Sequence, residues 1–172
     1  MRLALIAVMA ALSAAPALAQ QTAAPACDAM DEKLPADLAD WSGKGALASA
    51  AGAADIAKAS VVLGKGYDAD LLQTPKIAYP VQPEKPGGSV SHGGLFEFTV
   101  PAAGSYTVAL GAAAWIDVIE NGKAITPASF GHGPECTSIR KMVIFPLQAG
   151  KHVLQVSGIA EPKLKIMVAR KP

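Results

Sequence analysis

The stretch Gly93-Gly94-Leu95-Phe96-Glu97-Phe98-Thr99-Val100-Pro101-Ala102-Ala103-Gly104-Ser105-Tyr106-Thr107-Val108-Ala109-Leu110 decides the fold class. Phe96, Phe98 and Val100 alternate with Glu97 and Thr99, and after a short Pro/Gly connector Tyr106, Val108 and Leu110 repeat the pattern. Alternation at period two, bounded by Gly and Pro, is the mark of half-buried antiparallel strands. The same grammar returns at Ile144-Phe145-Pro146-Leu147-Gln148-Ala149-Gly150-Lys151-His152-Val153-Leu154-Gln155-Val156.

Working outward, Val61-Val62-Leu63, the turn Gly64-Lys65-Gly66 and Tyr67 to Leu72 read as a hairpin. Trp115 to Glu120 runs into Asn121-Gly122, whose residues both tolerate positive φ and so favour a two-residue hairpin turn. Lys123 to Thr126 is the expected return strand. Lys141 to Phe145 is apolar on both faces and reads as a central strand, and Lys163 to Val168 alternates again. About eight short strands with frequent turn signals predict an all-β, antiparallel β-sandwich of jelly-roll-like type. No helical segment of crossover length separates them, which argues against parallel pairing. Leu34, Leu38 and Trp41 behind Pro35 predict a short N-terminal helical segment whose Trp docks on the body. Residues 43–60 are rich in Ala but broken by Gly, and read as irregular structure or a short edge strand.

Three segments precede or form the fold. Residues 1–19 combine Arg2, an apolar run from Leu3 to Leu12 and Ala17-Leu18-Ala19, the pattern of a secretory signal peptide. Residues 20–33 read as a flexible arm, and 34–172 as one β-sandwich domain. The predicted location is therefore periplasmic or secreted. Losing Arg2 with the leader takes the formal charge from +1 to zero. A neutral chain lacks the basic footprint that nucleic acid or an anionic membrane surface requires. No later stretch approaches the roughly 20 apolar residues of a membrane span. Cys27 and Cys136 are the two cysteines, and an even count in an oxidising compartment predicts a disulfide closing a loop of 109 residues.

From Gly94 onward the chain resembles the bacterial pre-peptidase C-terminal-type β-sandwich modules of secreted proteins. The resemblance rests on Phe96-Glu97-Phe98, Ala103-Gly104-Ser105-Tyr106, Asp117 and Leu147-Gln148-Ala149-Gly150. It covers about half of the mature chain and implies an accessory module linked to adhesion or carbohydrate contact. The chain is also similar to a group of small exported bacterial proteins, on Leu34-Pro35, Trp41, Pro83 to Gly88, Trp115 to Val118 and Gly133-Pro134-Glu135-Cys136. Some of that group carry the label homogentisate 1,2-dioxygenase, which otherwise belongs to a much longer, cytoplasmic, cupin-type enzyme.

Side chains that could carry chemistry are few. His92 and His132 lie in Gly-rich loops and Glu135 follows His132 closely. Two His and one carboxylate form the facial triad of non-haem iron(II) sites, so a small metal-dependent, dioxygenase-like enzyme holding iron or another divalent metal is the alternative reading. No G-x-S-x-G elbow or phosphate-binding Gly loop is present. The favoured reading is an exported, non-catalytic binding or structural module without a cofactor, whose partner is a glycan or an envelope protein. Tyr79, Ser91, Trp115 and Asp117 are its candidate ligand-binding residues: Tyr79 and Ser91 flank or lie in the loop Pro80 to Gly94, and Asp117 stands mid-strand among apolar neighbours.

Overall fold

The computed structural model describes residues 27–172, so the leader expected over 1–19 and the first part of the arm lie outside the described residues. The chain forms two stacked six-stranded sheets. The first has the order β1 (Gly45–Ala48), β3 (Tyr67–Asp70), β12 (Lys163–Arg170), β6 (Gly104–Leu110), β10 (Lys141–Leu147) and β9 (Ser129–Gly131). The second runs β2 (Ser60–Val61), β5 (His92–Val100), β11 (Gly150–Ile159), β7 (Trp115–Glu120) and β8 (Lys123–Ala124), with β4 (Leu72–Gln73) paired to the start of β5. The all-β sandwich is thus present, with twelve strands among the described residues rather than about eight. The extra strands are short edge pieces of two to four residues, too brief for alternation to reveal them.

Between the sheets lie the residues that alternation marks as inward. Phe96, Phe98, Val118, Leu154 and Val156 from the second sheet meet Tyr106, Val108, Leu110, Phe145 and Ile166 from the first, all essentially without solvent exposure. Burying each such side chain is worth roughly 1.5–3 kcal/mol. At the β7–β8 turn Asn121 and Gly122 have φ of 50° and 75°, the geometry that matches strand twist.

Three expectations need correction. Val61 and Tyr67 do not form a hairpin: the chain leaves the second sheet after Val61 and enters the first at Tyr67. Gly64 (φ 75°) makes the turn, and its N–H donates to the Val168 carbonyl. Second, β1–β3 and β2–β5 are parallel pairs. After β1 the chain visits the opposite sheet as β2 and returns beside β1 as β3, so a strand of the other layer replaces a crossover helix. Third, the N-terminal helical segment is only a 3-10 turn, Ala36–Leu38, and no α-helix occurs among the described residues. Gly43 and Gly45 follow too closely for it to lengthen.

Part of each outer face is covered by segments that are not strands. On the first sheet, Leu38 and Trp41 bury Ala109, Met167 and Ala169 in a second apolar cluster. Gly66 lets this cover close: a Cβ there would stand 2.4 Å from the Asp40 carbonyl oxygen. On the second sheet, the Pro-rich loop between Tyr79 and Ser91 crosses the outward residues of β11. The Gln155 amide donates to the Val81 carbonyl (2.9 Å) and the Ser157 hydroxyl to that of Lys85 (3.0 Å). The buried donors of these two outer-face residues are therefore met by loop backbone rather than by solvent.

Upstream, the expected disulfide Cys27–Cys136 is formed, with a Cα–Cα distance of 5.4 Å. The described part of the arm is tied down further: the two Asp31 carboxylate oxygens accept from the Ser138 N–H and hydroxyl, both at 2.6 Å.

Candidate functional site

Strand β8 is only two residues long and pairs with Ile119 and Glu120 alone. The first half of β7, Trp115 to Asp117, therefore has no strand neighbour on that side. The segment after β8 crosses from the second sheet to the first, where it becomes β9. Between this crossing and the bare edge of β7 lies a cleft of about 630 Å³. That volume is in the range of small-molecule sites, roughly 300–1,000 Å³.

The walls follow from strand alternation. Ile116 reaches the cleft from the inner face of β7 and Val143 from the inner face of β10. Ile125 and Pro127 come from the crossing segment, and Phe130, 79% exposed, stands at the mouth on β9.

Polar groups gather at one end. The Trp115 indole N–H lies 3.0 Å from each Asp117 oxygen, and the Gln155 amide donates to Asp117 Oδ2 at 2.8 Å. The Lys85 ammonium stands 5.5 Å from the centre of the Trp115 ring, a cation–π contact. Lys141, at the head of β10, donates to the Ala114 carbonyl. Its pKa lies below the ordinary lysine value, first because burial penalises the ammonium and second because Lys85 repels it; Asp117 opposes both.

Of the four candidate ligand-binding residues, Trp115 and Asp117 line this cleft; Tyr79 and Ser91 do not. The Ser91 hydroxyl lies 2.8 Å from that of Thr74 and donates to the Gly88 carbonyl at 2.6 Å, which pins the loop. The Tyr79 hydroxyl donates to the Val156 carbonyl (3.3 Å) beneath the same loop. Burial pushes the Tyr79 pKa up to about 12, against a smaller opposing hydrogen bond from Thr74. Since the folded value is raised, the stability from the neutral phenol is complete below about pH 10 and fades as pH climbs from 10 through 12. Ultraviolet titration is expected to show a tyrosinate component near 12 that vanishes in Tyr79→Phe; its persistence in the variant would contradict the assignment.

The histidines stand apart from the cleft. His92 opens β5 with Nδ1 3.0 Å from the Ala160 carbonyl, while exposed His132, just past β9, holds Nδ1 3.3 Å from the Arg140 carbonyl. His92 and His132 thus belong to different sheets, and Glu135 is exposed on the loop beyond His132. Among the described residues no group of three or more His, Cys, Asp or Glu side chains is placed to hold a metal ion. His152 is buried, stacked on Phe98 at 5.5 Å, with Nε2 2.9 Å from the Gln148 carbonyl.

Sequence reasoning does not single out Lys85 or Phe130, and it reaches Lys141 only as a residue that, like Arg140, could share a pocket with Asp117. The signals were a lysine heading an otherwise apolar strand and a lone aromatic between Ser129 and Gly131. No protein-family model matches the chain, and comparison with curated proteins finds no relative.

Proposed function

We propose that the protein is an exported, non-catalytic binding module whose ligand occupies the cleft beside the bare half of β7. The observation that carries this reading is the cleft itself: about 630 Å³ of open, mostly apolar space with polar groups converging at one end. Export is supported by the leader pattern in residues 1–19 and by the disulfide, which needs an oxidising compartment to persist. The ligand is a small molecule rather than a stacked glycan, because the Lys85 ammonium already covers the Trp115 ring face that a pyranose would use.

Amide NMR of the mature protein titrated with n-octanol tests the site independently of ligand charge. The expected outcome is that cross-peaks of residues 113–117 and 141–143 move together and saturate. No movement, or movement scattered over the surface, would remove the binding reading.

A further inference from the structure

We infer that the cleft selects amphipathic monocarboxylates: small molecules with an apolar body that lies along Ile116 and Val143 and one anionic head held between Lys85 and Lys141. This rests on the binding reading above and names the ligand class of the same site.

Charge and shape lead to it together. Lys85 and Lys141 both line the cleft. Among the described residues neither ammonium is in an ion pair; the five ion pairs present use Lys58, Lys151, His152, Lys163 and Lys165 instead. Lys141 is half-buried in a place where Lys85 repels it, an arrangement that costs stability in the free protein and that a bound anion relieves. Asp117 is the one carboxylate among the lining residues, and its oxygens are already engaged by Trp115 and Gln155. Two ammoniums and one carboxylate leave the cleft with one net positive charge, so a monoanion brings it to neutrality. Away from these groups the larger lining side chains are Ile116, Ile125, Pro127, Phe130 and Val143, none of which offers a charge to a second ligand charge. A dry body and a single charged end is the ligand that this division matches.

The match is also specific in sign. A cationic amphiphile would set its head against two lysines, and like-charge contact is costly in a partly desolvated site. A neutral head would leave both ammoniums without a counter-ion.

The test is a charge series at constant chain length, read by calorimetry and by amide NMR on the intact mature protein: octanoate, n-octanol and octylamine. Octanoate is expected to bind about tenfold or more tighter than n-octanol, the scale of a charge-assisted hydrogen bond. Octylamine is expected to bind weakest. Lys141→Met should weaken octanoate several-fold and so shrink its advantage over n-octanol. Lys85→Met, at an exposed position, is a second variant expected to do the same without risk to the fold; near-ultraviolet dichroism checks both. Raising salt should weaken octanoate selectively. Equal affinities for octanoate and n-octanol at the cleft would overturn the charge selection while leaving the binding reading intact. Preference for octylamine would overturn it as well, with Asp117 then dominating the site. If none of the three moves residues 113–117, the binding reading itself has failed. Sedimentation with phosphatidylglycerol vesicles in the absence of octanoate binding would overturn the inference in favour of a membrane surface.

Discussion

Replacing Trp41 with alanine is expected to lower the unfolding free energy by about 3 to 5 kcal/mol, the scale found for deleting a large buried aromatic. Trp41 has no solvent exposure although it belongs to no strand. It covers Ala109, Met167 and Ala169 on the outer face of the first sheet, positions whose small or flexible side chains leave room for an indole. Its Nε1–H donates to the Ser138 hydroxyl at 2.8 Å, and that hydroxyl donates to Asp31. Truncation therefore opens a cavity and also strips a hydrogen bond from a part-buried hydroxyl. Trp41→Phe should cost less, because much of the ring volume stays. Urea denaturation checks both, with the midpoint falling at constant slope. A loss below about 1 kcal/mol in Trp41→Ala would mean that residues 27–42 open separately from the sandwich.

Removing the disulfide should have an effect of similar size by a different route. Cys27 and Cys136 close a loop of 109 residues. Chain-entropy bookkeeping values that closure at about 4 to 5 kcal/mol, acting chiefly on the unfolded chain. For a domain of this length each kcal/mol moves the melting temperature by about 2–4 °C, so Cys27→Ser/Cys136→Ser should melt roughly 10–20 °C lower. The folded sandwich should survive at 25 °C, since Asp31 and Trp41 still hold the N-terminal segment to the loop around Ser138. Calorimetry with and without reductant makes the comparison. An unchanged melting temperature on full reduction would show that the bridge constrains nothing the rest of the fold does not already fix.

How much of this was legible follows from which forces act locally. β5, β6, β11 and β12 are long enough for alternation to set their faces, and Phe96, Phe98, Val108 and Ile166 are buried as expected. Asn121-Gly122 makes its turn because left-handed backbone is a property of the two residues themselves. Ser60–Val61 and Tyr67–Asp70 were misread because sheet choice is a long-range matter: both segments look like one hairpin until Gly64 bonds to Val168. Gln155 and Ser157 stand on the outer face of β11, and the distant loop carrying Val81 and Lys85 packs over them, a contact that no local pattern encodes.

Of the candidate ligand-binding residues, two of four fall at the cleft. Trp115 and Asp117 stood out by type within one strand, and they do line the cleft. Tyr79 and Ser91 were chosen for sitting in or beside a loop, but their hydroxyls serve to fasten it. Lys85, Lys141 and Phe130 come from three separate segments, and no spacing in the chain announces that they meet. His92, His132 and Glu135 have suitable chemistry for a metal, but among the described residues no group of three or more such side chains is placed to hold one.

The most direct test of the proposed ligand site is a crystal structure of the mature protein soaked with octanoate. The expected result is electron density along Ile116 and Val143, with the carboxylate within hydrogen-bonding reach of Lys141 or Lys85 and the bare edge of Trp115 to Asp117 still open. A cleft sealed by the segment between β8 and β9, or octanoate bound only elsewhere, would contradict the account.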